Sequence, residues 1–106
     1  MFPDRKVNVD FIKRDDGLWI VWRYLYLPPE EWKEEFMPAL KKAVGMPAAG
    51  LRNEGSGRWV FDEDDLLLYG LSQDEVAQST MTFMSAYFAR VGRECSYTMT
   101  VAEGAY

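Results

Sequence analysis

Leu18-Trp19-Ile20-Val21-Trp22-Arg23-Tyr24-Leu25-Tyr26-Leu27 is the segment on which the fold turns, because both of its possible faces are apolar. As a strand it points Leu18, Ile20, Trp22, Tyr24 and Tyr26 one way, and Trp19, Val21, Arg23, Leu25 and Leu27 the other. A strand covered on one side only alternates apolar with polar residues. This segment is therefore either central and covered on both sides, or half-exposed to a partner.

The flanking sequence supplies neighbours. Residues 7–12 alternate as a strand with Val7, Val9 and Phe11 inward, and Asp15-Asp16-Gly17 signals a tight turn between the two. Downstream, Pro28-Pro29-Glu30-Glu31 ends the strand and opens a helix, since proline suits a first turn and acids suit the positive end of the dipole. Trp32, Phe36, Leu40 and Val44 recur at i+4 along it. Pro38 predicts a kink or a restart, because it lacks an amide and crowds the preceding turn. Residues 45–57 have no periodicity and read as a long glycine-rich connector, displaying Arg52, Asn53 and Glu54.

Trp59-Val60-Phe61 and Leu66-Leu67-Leu68-Tyr69 read as a second hairpin around the acidic tip Asp62-Glu63-Asp64-Asp65. Ser72-Gln73-Asp74-Glu75 is a capping box, with Leu71 and Val76 as its staple. The helix it opens is expected to reach about Arg93, with Val76, Thr80, Met84, Tyr87 and Val91 on one face. Ser96 to Val101 alternate as a final strand.

The order ββαββαβ predicts an α+β fold, an antiparallel sheet of four to five strands with two helices packed on one face. One version is a ferredoxin-like βαββαβ plan with an extra N-terminal strand; the other is a duplicated ββα unit. In the ferredoxin-like order the strand at 18–27 already has two neighbours, the last strand among them, and the Asp-Gly hairpin competes for one of those places. That plan resembles RNA-recognition motif domains, which stack bases on sheet aromatics. Gly57-Arg58-Trp59-Val60-Phe61 echoes their glycine-aromatic motif, but on the second strand of the count rather than the third.

Composition narrows the function classes. The 106 residues are enough for one domain with one core. Twelve Lys and Arg against seventeen Asp and Glu leave a net charge of −5, which disfavours nucleic acid and favours a basic protein partner or plain solubility. There is no histidine, so the usual neutral-pH general base and commonest metal ligand are absent. Cys95 is the only cysteine, which rules out an internal disulfide and a cysteine metal cluster. No apolar run is long enough for a membrane span, and the first residues do not read as a signal peptide. The cytoplasm is the expected compartment.

These features favour a non-enzymatic protein-binding module without a cofactor: a small acidic inhibitor, an immunity-type protein or a phage-encoded antagonist acting by stoichiometric binding. Its expected contact residues are the aromatic strand (Trp22, Tyr24, Tyr26), the connector (Arg52, Asn53, Glu54) and the acidic tip (Asp62, Glu63, Asp64, Asp65). The tip lacks the glycine and distal glutamate of a calcium loop, so no metal is assigned. Two alternatives stand beside this reading. One is a small-molecule pocket between sheet and helices, lined by Trp19, Trp32, Tyr87 and Phe88; the other is a homodimer through the aromatic strand.

Overall fold

Alternation in β1 (Val7–Arg14) buries Val7, Val9 and Phe11 completely on one face. A computed structural model describes residues 6–23, 27–55 and 57–102. Asp15 and Asp16 form a two-residue turn, since Arg14 pairs with Gly17 at the start of β2 (Gly17–Arg23). Gly17 thus serves less to turn the chain than to admit a neighbour. Its φ is +150°, and a Cβ there would lie 2.3 Å from the Phe61 carbonyl oxygen on the next strand. Leu18, Ile20 and Trp22 are buried on the same side as the inward residues of β1. Tyr24 and Tyr26 lie outside the described residues.

Helix α1 covers residues 29–43 and changes pitch within itself. Pro29–Glu31 is α-helical, Trp32–Phe36 is π-helical, and Met37–Ala43 is α-helical again. The Met37 amide reaches back to the Trp32 carbonyl, one residue further than in an α-helix. Pro38 is accommodated just past this widened turn, where a regular turn would set its ring against the carbonyl of Glu34. Phe36, Leu40 and Val44 are buried, as their spacing requires.

Two expectations from the sequence do not hold. The stretch 45–57 is not all connector: it contains β3 (Leu51–Gly55), paired antiparallel with β4 (Arg58–Asp62). Only Leu51 of β3 is buried, so the strand carries no apolar alternation. The second hairpin is therefore β3–β4, and the acidic run is not its tip. Asp62 precedes a helix, α2 (Glu63–Tyr69), whose first turn holds Glu63, Asp64 and Asp65 at the positive end of the dipole. Leu66 is buried while Leu67 and Leu68 are exposed, a helical rather than a strand pattern.

Helix α3 (Gln73–Ala89) begins with the complete capping box. Ser72 Oγ accepts from the Glu75 amide at 3.0 Å, and Glu75 Oε1 accepts from the Ser72 amide at 2.8 Å. Val76, Ala77, Thr80, Met84 and Phe88 face the core. The helix stops short of Arg93 because Gly92, at φ +74°, closes it: the Arg93 amide bonds the Phe88 carbonyl and the Gly92 amide that of Ala89. Val91, expected on the buried face, is consequently exposed.

The last strand, β5 (Cys95–Val101), completes a five-stranded sheet of order β3-β4-β2-β1-β5. The sheet is mixed, since β5 runs parallel to β1, and there are three helices among the described residues. This corrects the antiparallel, two-helix expectation. The β1–β2 hairpin keeps its place, so the final strand is displaced to the edge beyond β1. Because α2 and α3 carry the chain back over the sheet, β5 starts at the same end as β4 and runs parallel to it and to β1. The covered face meets α1 and α3 around Phe36, whose ring touches those of Trp22, Trp32, Phe83, Tyr87 and Phe88. Among the described residues no helix is long and apolar enough to cross a membrane.

Candidate functional site

Strand alternation and register assemble a second face on the sheet, turned away from the helices. It carries Asp10, Ile12 and Arg14 of β1, Trp19, Val21 and Arg23 of β2, and Arg58, Val60 and Asp62 of β4. No helix packs on this face among the described residues. Val60 is fully buried there yet stands outside the main core, while its register partner Trp19 is half-buried.

Trp19 is held on two sides. Its Nε1 donates to Asp16 Oδ1 at 2.9 Å, and the Arg14 guanidinium lies 4.6 Å from its ring centroid. Arg23 Nη2 pairs with Asp10 Oδ2 at 3.0 Å, and Thr98 Oγ1 donates to the other oxygen of that carboxylate at 2.5 Å. Arg58 is exposed and has no ion-pair partner among the described residues. These side chains border a shallow depression of about 360 Å³.

One end of this face is strongly acidic. Asp15 and Asp16 of the first turn meet Asp62, Glu63, Asp64 and Asp65 around an open cleft of about 550 Å³. The two segments are tied by the Glu63 amide, which donates to the Asp16 carbonyl at 3.0 Å. Gln73 Nε2 adds bonds to Glu63 Oε1 at 3.0 Å and to the Arg14 carbonyl at 2.8 Å. No group of three or more ligating side chains among the described residues is placed to hold a metal ion. The arrangement offers charge and contact area.

The expected contact residues separate into three places. Asp62 to Asp65 stand together at the acidic end. Arg52 joins them, with Nη2 and Nε at 2.7 and 3.0 Å from Asp62 Oδ1 and a further bond to Glu54. Bonding to Asp62 pushes the Arg52 guanidinium above its usual range, against a smaller opposing effect of burial. Asn53 serves the β3–β4 turn, its Oδ1 accepting from the Gly55 amide at 2.7 Å. Trp22 lies on the covered face at 6% exposure, packed against Trp32, Phe36 and Trp59. Among the described residues of the aromatic strand, Trp19, Val21 and Arg23 face outward. Arg23 was the marker of that face in the sequence, as the one charged side chain in the segment.

The expected pocket of Trp19, Trp32, Tyr87 and Phe88 is corrected: the sheet itself separates Trp19 from the other three. Tyr87 Oη donates to Glu31 Oε2 at 2.5 Å across α3 and α1, and burial with that bond raises its pKa to about 12. Cys95 is half-buried, and burial raises its thiol above the usual range.

Comparison with protein-family models, with curated proteins and with solved structures finds no match to this chain. The chemistry of the site rests on its own geometry.

Proposed function

We propose that the chain is a non-enzymatic protein-binding module, of the inhibitor or antagonist type, that grips one macromolecular partner with the open face of its sheet. The observation that supports this reading is one face that carries both the depression Trp19 shares with Arg14, Arg23 and Arg58 and, at its end, the acidic cleft. Trp and Arg are enriched among the residues that dominate binding energy at protein interfaces. Trp buries a large area with only two torsions to freeze, and the planar Arg fork offers several donors at once. A rigid sheet also spares the partner most of the ordering cost of a loop. The face is polar along its length, with cations at its centre and acids at one end. It therefore suits a protein surface that presents basic groups opposite Asp64 and Asp65 and acidic or apolar groups opposite Arg58 and Trp19.

The test is affinity capture followed by calorimetry on the identified partner, comparing the native chain with Arg58→Glu, Trp19→Ala and Asp64→Lys/Asp65→Lys. Binding at one-to-one stoichiometry that falls at least tenfold in each open-face variant, and is unchanged by Glu34→Lys on the helical side, supports the reading. Equal capture by every variant overturns it. So would catalytic turnover by the purified native chain.

A further inference from the structure

The two edges of the sheet are finished differently. β3, at one edge, is short, carries Arg52 and Glu54, and has a bulge between Asn53 and Gly55, all of which discourage another strand from pairing there. β5, at the other edge, is Cys95-Ser96-Tyr97-Thr98-Met99-Thr100-Val101: no charge, no proline, and an unbroken register with β1. Such an edge is a template for pairing. Met99 and Val101 remain 39% and 56% exposed along it. The helix above continues the theme. From Val76 to Ala89, α3 has no charged residue, and its outward positions are Gln78, Thr82, Ser85, Ala86 and Ala89. In a chain of net charge −5, this is a surface along which two copies can approach without like-charge repulsion.

From this we infer that the protein forms a two-fold dimer by antiparallel pairing of β5 with β5 of a second copy, centred on Thr98. The backbone fixes this register. The Glu94 carbonyl and the Ala102 amide both bond to β1, so residues 94, 96, 98, 100 and 102 turn their polar groups inward. The amides and carbonyls of Cys95, Tyr97, Met99 and Val101 consequently point out of the sheet edge. A two-fold axis at Thr98 makes Tyr97 and Met99 a hydrogen-bonded pair, does the same for Cys95 and Val101, and leaves Thr98 facing its own copy in the close, non-bonded position. Each exposed apolar side chain then lies opposite an apolar or thiol side chain on the helical side, and hydroxyls lie opposite hydroxyls on the other. The surface has no charge to reward a charged partner, and its pattern is complementary to itself. It is separate from the acidic cleft and from Trp19, so dimerisation leaves the open face available.

The experiment combines mass measurement by light scattering through a dilution series with a directed cross-link. The native chain is expected at twice its 12.3 kDa mass, with Thr98→Lys falling to the single-chain mass while keeping its circular dichroism and Asn53→Lys on the opposite edge remaining a dimer. In a Cys95→Ser background, Thr98→Cys is expected to cross-link to its own copy under mild oxidation, because the close pair meets disulfide geometry. Thr100→Cys should not. A monomeric native chain overturns the proposal and leaves the edge to a foreign strand. A dimer in which Thr98→Cys fails to cross-link overturns it too, by placing the interface elsewhere.

Discussion

At Gly17 a single hydrogen in place of a side chain lets β2 and β4 lie side by side. Gly17→Ala sets a methyl group against the Phe61 carbonyl, in backbone geometry that L residues avoid, and is expected to cost about 3 kcal/mol. A shifted urea midpoint with an unchanged slope would register that loss. Tyr87 and Tyr97 make a second expectation at this scale. Burial is the main cause holding both near 12, with the Glu31 bond assisting at Tyr87 and the Ser85 bond opposing at Tyr97. The unfolded chain loses these protons near 10, so between about 10 and 12 the native state binds more protons than the unfolded one. The stabilisation is whole below pH 10 and is lost as the pH climbs through that window. Ultraviolet titration should show Tyr87 and Tyr97 ionising late, with the melting temperature falling over the same range. Cys95, raised by its burial, should alkylate more slowly in the native chain than in urea.

Among the elements, α3 depends on its first turn. Ser72→Ala removes one half of the capping box and is expected to cost about 1 kcal/mol, read from thermal or urea unfolding. This start was plain in the sequence because both halves of the box are side-chain chemistry at fixed spacing. So were β1 and α1, whose buried residues recur with the period of their element, and β5, whose Tyr97, Met99 and Val101 alternate with Ser and Thr. The elements that escaped notice lack such a period. β3 buries only Leu51 and is held instead by its ladder to β4 and by Arg52 on Asp62. In α2 the consecutive leucines imitate a buried strand, although only Leu66 reaches the core. The acids before them were the better guide, since three in succession suit the first turn of a helix. The direction of β5 was illegible for another reason: alternation states which face a strand buries and says nothing of its polarity. The open face was half legible, its two candidate sets being evident and only the position of the helices deciding between them.

For the whole molecule, Phe36 is the joint between layers, in ring contact with the sheet through Trp22 and with α3 through Phe83, Tyr87 and Phe88. Phe36→Ala is expected to cost about 4 kcal/mol, a large share of the roughly 5–15 kcal/mol typical of a domain. Near-ultraviolet circular dichroism should weaken with it, since the same rings supply that signal. The parallel pairing of β1 with β5 also has a consequence for synthesis on the ribosome. Val7 is among the first residues of the sheet to emerge, and its register partner Cys95 is among the last. The hairpin of β1 and β2 can close early, but the outer side of β1 stays bare until β5 has been synthesised. Until then the nascent chain carries an open ledge that any passing strand could occupy. A stop codon before residue 95 would make that temporary hazard permanent, yielding a truncated product inclined to aggregate.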